Sequence, residues 1–262
     1  LPATPRAYVR GSVYGGGEQA QATGTDEIDV ATNVKVQRNN TIVNGDVFGG
    51  GVGDEDNPTY AQVVGNTNVV ITDGMVGGNV YGGGELASVT DDSYVTISGG
   101  TVGRQLSLYD RYVDERNNHQ NVFIGDVFGG GRGSNQYLLN ENSVTAGRVY
   151  GNTNVAISGG TIRHKVYGGG SLASVGDFVM DPNTDTIISW TGGGTATVTV
   201  NGTALIGPKK TDLTEPSDDE LSIASNVLGV PSLTVQQYID AAFKYLGGNE
   251  GSVYGASRGF SA

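Results

Sequence analysis

Apolar residues in this chain fall in short alternating runs broken by glycine. A Val-x-(Ile/Val) run recurs at Val34, Val69, Val95, Val155 and Val198, as in TNVVITDG, SYVTISGG and TNVAISGG. Period-two alternation of this length predicts strands of three to five residues with one buried face. Gly-Gly or Asp-Gly typically follows, then a lone aliphatic residue such as Val76 or Ile162. Four residues beyond that aliphatic stands the Val of a second unit, Val-(Tyr/Phe)-Gly. This unit occurs at Val13-Tyr14, Val47-Phe48, Val80-Tyr81, Val127-Phe128, Val149-Tyr150, Val166-Tyr167 and Val253-Tyr254. The resulting order is short strand, Gly turn, very short strand, turn, aromatic, glycines, then a third strand such as ASV. Gly, Asn and Asp occupy the turns because they accept positive φ at low cost.

No single unit of this kind can bury its own apolar face, whereas stacked units can. The pattern therefore predicts an all-β chain, a right-handed parallel β-helix of about six or seven irregular coils. At about 4.8 Å per coil the rod would be roughly 30 Å long. Comparing the copies with one another assigns roles to columns. Val does not change, and the next position is always a ring, although Tyr and Phe interchange. Val13, Tyr14, Val47, Phe48, Val80, Tyr81, Val127, Phe128, Val166, Tyr167, Val253 and Tyr254 are expected to form an inward valine ladder beside an aromatic stack. The column before Val holds Ser12, Asp46, Asn79, Asp126, Arg148, Lys165 and Ser252, either charge or none, and is expected to face solvent. The competing reading of the rings is an exposed sugar-binding strip.

Three stretches leave the repeat. The first, Gly103 to Gln120, is polar and longer than a turn; Tyr109, Arg111 and Tyr112 there are ligand or partner candidates. The second, Gly176 to Gly194, contains the single tryptophan, Trp190, a further ligand candidate. The third is helical. Ser217 with Glu220 forms a capping box, Thr234 with Gln237 opens a second helix, and Leu233 with Tyr238 makes a hydrophobic staple. The domain plan is 1–207 as coils, 208–248 as a helical hairpin insertion or cap, and 249–262 as a final β segment. The chain begins Leu1-Pro2 without Met, which reads as a processed chain or an excised segment.

Composition narrows the chemistry. A net charge of -12 argues against nucleic acid as partner. Cysteine is absent, so disulfides and thiolate metal sites are excluded. No apolar run reaches membrane-spanning length. GGGEQA, GGGELA and GGGSLA, at Gly15, Gly82 and Gly168, each match a relaxed dinucleotide fingerprint. A nucleotide site needs one copy opening a helix, and these copies run on into strand-like segments. GASRG at Gly255 has no following helix or later His. His119 and His164 carry no metal-ligand or catalytic spacing, and His164, in TIRHKV between two strands, reads as a turn or surface residue. Asp181, Asn183 and Asp185 copy the first half of a calcium loop, and Asp54 with Asp56 loosely matches a calcium-binding nonapeptide; both are weak calcium candidates. No catalytic residue and no cofactor is assigned.

The pair NVVITDGMVGGNVYGGGELASV and NVAISGGTIRHKVYGGGSLASV resembles the Gly-rich β-helical repeat regions of adhesin-like surface and secreted bacterial proteins. That resemblance covers most of the chain and implies a non-enzymatic extracellular element, presenting loops to a protein or glycan or joining a larger, self-stacking assembly. It transfers no catalytic residue. The alternatives are a carbohydrate-active β-helix enzyme and a glycan-binding module without catalysis; for the first, Asp46 and Asp126 at equivalent repeat positions could share a face, but the intervening Asn79 argues for tolerance there and against a site.

Overall fold

The computed structural model describes residues 7–24, 30–54, 57, 59–106, 123–134, 144–181, 186–208, 215–229, 231–245 and 251–259. The strands of its first third are β1 (Ala7–Val9), β2 (Val13–Tyr14), β3 (Ala22–Thr23), β4 (Val30–Val36), β5 (Thr41–Val43), β6 (Val47–Phe48) and β7 (Val63–Val64). Next come β8 (Asn66–Ile71), β9 (Met75–Val76), β10 (Val80–Tyr81), β11 (Ser93–Val102), β12 (Arg104–Gln105), β13 (Phe123–Ile124) and β14 (Val127–Phe128). The rest are β15 (Thr153–Ile162), β16 (Val166–Tyr167), β17 (Asp177–Asp181), β18 (Thr186–Gly192), β19 (Ala196–Val200), β20 (Leu205–Ile206) and β21 (Val253–Tyr254). Helices α1 (Asp218–Leu228) and α2 (Val235–Tyr245) precede β21.

These elements correct the expected fold class. The chain is 46% strand and 8% helical, with its short strands gathered into discrete parallel sheets in an α/β-like arrangement. It is not the uniform all-β, right-handed β-helix of six or seven coils that the repeat suggested. One sheet has nine strands and one has six; three further sheets have two strands each. Of these small sheets, β12–β13 and β17–β18 are antiparallel. The physical reason is that a two-residue strand carries too little pattern to declare its sheet, and the segments between repeats bring pairings of their own.

Within the sheets the register is tight. In the six-stranded sheet Val13, Val47, Val80, Val127, Val166 and Val253 stand side by side, one per rung. The nine-stranded sheet holds two such columns. Val34, Val69, Val95, Val155 and Val198 pair in series. So do Val9, Val43, Val76, Val102, Ile162 and Ile206. β11 and β15, at ten residues each, cross both columns. The interior members of all three columns merge into one buried aliphatic core. Val149-Tyr150 shares the spelling of the ring unit but stands elsewhere, in a small cluster with Val63 and Val89.

α1 begins at a capping box. Ser217 Oγ accepts from the Glu220 N–H, and Glu220 Oε2 accepts from the Ser217 N–H at 3.1 Å. Gly229 ends the helix in the left-handed conformation at φ 64°. α1 and α2 pack on each other through buried Tyr238 with Leu221, Leu233 and Ile239. The last rung of the six-stranded sheet is exposed, with Val253 at 43% and Tyr254 at 38%.

Candidate functional site

The ring column sits beside the valines and is the most ordered aromatic array among the described residues. Tyr14, Phe48, Tyr81, Phe128, Tyr167 and Tyr254 stack with successive centroid separations of 5.0, 4.5, 4.9, 4.9 and 5.0 Å. Phe48, Tyr81, Phe128 and Tyr167 are buried, so these four rings offer no strip to a sugar. The glycine after each ring explains the repeated spelling. A Cβ on Gly82 would be driven into the carbonyl oxygen of Gly129 on the next rung. The triple glycine is thus a packing requirement between rungs, with no phosphate cradle implied.

The polar column before Val does not simply face solvent, as either-charge tolerance suggested. Its side chains tie rung to rung. Ser12 Oγ accepts from the Asp46 N–H at 3.0 Å, and Asp46 Oδ1 from the Asn79 N–H at 2.6 Å. Asn79 Oδ1 accepts from the Asp126 N–H at 2.8 Å, and Asp126 Oδ1 from the Lys165 N–H at 3.0 Å. At these four levels Ser, Asp and Asn each supply an acceptor, whereas Lys165 at the fifth takes part through its backbone N–H alone. Arg148, grouped with this column by spelling, is buried under the β17–β18 hairpin instead. Its Nε and Nη2 donate to the carbonyls of Gly176 and Phe178 at 2.8 and 2.9 Å.

Charged groups gather around the hydroxyl edge of the ring stack. Tyr14 donates a short hydrogen bond to Glu85, whose other oxygen meets Arg132 Nη1 at 3.0 Å. Asp126, almost fully buried, contacts His164 Nδ1 at 2.5 Å and accepts from Arg258 Nη1 at 3.1 Å. His164 is itself buried, a correction to its reading as a turn or surface residue. Burial raises the Asp46 carboxyl above the usual aspartate value, although the Asn79 N–H pulls the other way. Burial first, and then Glu85, pushes the Tyr14 hydroxyl upward; burial and then Asp46 do the same to Tyr81.

This cluster has the ingredients of acid–base chemistry, namely two carboxyls on one face and one raised pKa. The arrangement uses them differently. Asp46 and Asp126 are separated by the Asn79 rung, and the Oδ1 of each is held by a backbone N–H of the following rung. Asp126 is further occupied by His164 and Arg258. Carboxylates so engaged, with opposite charge supplied alongside, are suited to fastening rungs together.

Two further columns escaped the sequence reading. Thr32, Thr67, Ser93 and Thr153 are buried, and their hydroxyls donate to the carbonyls of Gly49, Gly82, Gly129 and Gly168 at 2.6, 2.7, 2.5 and 2.5 Å. Before three of them stand Asn66, Asp92 and Asn152. Asn66 accepts from the Asp92 N–H, Asp92 from the Asn152 N–H, and Asn152 from the Thr195 N–H, at 2.8, 2.7 and 3.1 Å. The signal available was the recurring (Asn/Asp)-(Thr/Ser) pair two residues before the strand valine.

The remaining candidates are scattered. Trp190 lies on β18, stacked 5.8 Å from Phe178 and 52% exposed, beside exposed Val179, Ile187 and Ile188. Tyr109, Arg111 and Tyr112 lie outside the described residues, as do Asn183, Asp185, Asp56 and His119. Asp181 pairs with Thr186 at the end of the β17–β18 hairpin, and the Asp54 carbonyl accepts from the Asn57 N–H in a turn. Among the described residues no group of three or more His, Asp or Glu is arranged to hold a metal ion. No described helix is long and apolar enough to cross a membrane. Compared with protein-family models, curated proteins and solved structures, the chain matches none of them.

Proposed function

We propose that this chain is a non-enzymatic, extracellular structural element of adhesin-like type, a stiff parallel-rung framework that presents a contact surface to a partner. The observation carrying this reading is the use made of its polar groups. Asp46, Asn79, Asp126, Asn66, Asp92 and Asn152 each accept a backbone N–H from a neighbouring rung. Groups that an enzyme would keep for substrate are spent on the framework. The presented surface is the β17–β18 hairpin, anchored by Arg148 and carrying Val179, Ile187, Ile188 and Trp190 outward. Several large apolar side chains left exposed on one hairpin make it a candidate contact element.

A glycan-binding module is the second reading, favoured by the exposed indole of Trp190. One experiment separates the possibilities. The chain is screened against a broad polysaccharide panel for both cleavage and retention, alongside Trp190→Ala and Asp46→Asn. The structural reading expects no cleavage. Retention lost in Trp190→Ala would shift the assignment to glycan binding. Cleavage abolished by Asp46→Asn would overturn the non-enzymatic reading.

A further inference from the structure

One corner of the framework, between the column of Val9, Val43 and Val76 and that of Val13, Val47 and Val80, carries a line of cations. We infer that this corner binds an acidic glycan, a sugar chain bearing carboxylate or sulfate groups at intervals. The backbone there is in continuous register. The N–H groups of Asn44, Gly77, Gly103 and Arg163 donate to the carbonyls of Val9, Val43, Val76 and Val102, so Arg10, Asn44, Gly77, Gly103 and Arg163 stand in one file. Arg10 is at the first level and exposed. Arg104, beside Gly103 at the fourth level, folds back along the file. Its Nη1 donates to the carbonyls of Asn44 and Gly77 at 3.2 and 3.1 Å, so the guanidinium lies over the second and third levels. A Cβ on Gly77 would stand 3.4 Å from that nitrogen, which places the guanidinium directly against the bare glycine. Arg163 follows at the fifth level, its guanidinium 5.6 Å from the Phe123 ring centroid, with Lys165 two residues on. At about 4.8 Å per level the line runs for roughly 20 Å.

Two observations point to an anionic partner of this kind. The first is how the cations are matched. Arg132, Arg148 and Arg258 each face a carboxylate, that of Glu85, Asp177 and Asp126, at 3.0, 3.9 and 3.1 Å. Arg10, Arg104, Arg163 and Lys165 make no ion pair among the described residues. A chain with 27 acidic side chains and a net charge of -12 thus leaves this line without a counter-charge. Asp46 and Asp126 border it, but the Oδ1 of each accepts a backbone N–H, and Asp126 is already matched by His164 and Arg258. Arg104 uses one nitrogen on the two carbonyls and retains donors on the others for a carboxylate or sulfate. The second observation is spacing. The cations come every one to two levels, roughly 5–10 Å apart. Duplex nucleic acid carries one charge per about 1.7 Å, far denser than this line, and so dense an anion would be repelled by the rest of an acidic chain. Anions set at intervals along an extended sugar chain fit both the spacing and the sign.

This corner is a surface apart from the β17–β18 hairpin. It deepens the contact-presenting reading above, yet the two fail separately: polysaccharide cleavage would remove the non-enzymatic reading and leave the corner standing. The test is isothermal titration of the full chain with polygalacturonate, chondroitin sulfate, neutral dextran and duplex DNA. It is run at about 0.01 M salt, where charges act over about 30 Å. At least one acidic glycan should bind, dextran should not, and affinity should fall as salt is raised to about 0.15 M. Arg10→Glu combined with Lys165→Glu should keep the unfolding midpoint of the parent, since neither side chain makes a hydrogen bond or ion pair among the described residues. The pair should weaken glycan binding about tenfold or more, and Arg10→Glu alone about threefold. Lys35→Gln, on the exposed face of β4, should leave binding unchanged. Failure of both acidic glycans to bind overturns the inference, as does equal binding of dextran. Tighter binding of DNA than of either glycan would reassign the corner to nucleic acid. Undiminished glycan binding by the folded Arg10→Glu and double variants would also overturn it.

Discussion

Phe128 occupies the fourth of six rungs, 1% exposed, with Tyr81 and Tyr167 stacked on its two faces at 4.9 Å each. Replacing it with Ala removes a buried ring that the rungs above and below cannot fill, because their backbones are locked by inter-rung hydrogen bonds. Phe→Ala in a core that relaxes little costs about 3–5 kcal/mol. Two lost ring–ring contacts, at about 0.5–1.5 kcal/mol each beyond area, place Phe128 toward the upper part of that range. Tyr254 has one stacked neighbour, at 5.0 Å, and is 38% exposed. Tyr254→Ala should accordingly cost about 1–2 kcal/mol. Phe128→Tyr, a ring already used in this column by Tyr81 and Tyr167, should cost about 1 kcal/mol or less. Urea unfolding followed by far-UV circular dichroism measures all three. Trp190 fluorescence is unsuitable as the sole probe because the only tryptophan sits on the hairpin. A Phe128→Ala cost no greater than that of Tyr254→Ala would refute the claim that the rings act as a continuous packed column.

Gly82→Ala should destabilise by about 3 kcal/mol or more, because its Cβ meets rigid backbone at Gly129; a variant as stable as the parent in the same urea assay would contradict this. Asp46 has a raised folded pKa, so the folded chain holds its proton more tightly, and stability falls as pH rises from the ordinary aspartate value through the folded one. Asp46→Asn keeps an acceptor for the Asn79 N–H, as Asn79 itself does for Asp126. It should flatten that part of the pH–stability curve and match or exceed the parent above it. Arg148→Lys loses the paired donation to Gly176 and Phe178 and the packing of its guanidinium 4.0 Å from the Phe178 ring centroid. Early, separate release of the hairpin, read from Trp190 fluorescence ahead of the circular dichroism transition, is the expected result.

What could be read from the sequence was whatever the repeat spells identically. The Val and ring columns are legible because each rung needs the same shape in the same place, and the alignment of copies exposes this directly. The helix starts at Ser217 and Thr234 are legible for a different reason, since caps are local and their hydrogen bonds span three residues. The polar column is not legible from charge, because charge is no proxy for exposure there. Ser12, Asp46, Asn79 and Asp126 differ in charge but share an acceptor atom, and the rung above demands only that. The burial of His164 is hidden for a related reason: its partner, Asp126, lies 38 residues away, a distance no local pattern bridges. Sheet organisation escaped the periodicity altogether, because two-residue strands and the antiparallel hairpins carry no period long enough to sort them.

Tyr14 on the first rung reaches Glu85 near the third, and Arg258 beyond the last ring reaches back to Asp126 at the fourth. A stack joined only between immediate neighbours frays one layer at a time from its ends. Here each terminal layer is stitched to one further in, so peeling either end must tear loose more than a single layer together. Pulled lengthwise, such a chain should yield in a few large steps, several layers at a time.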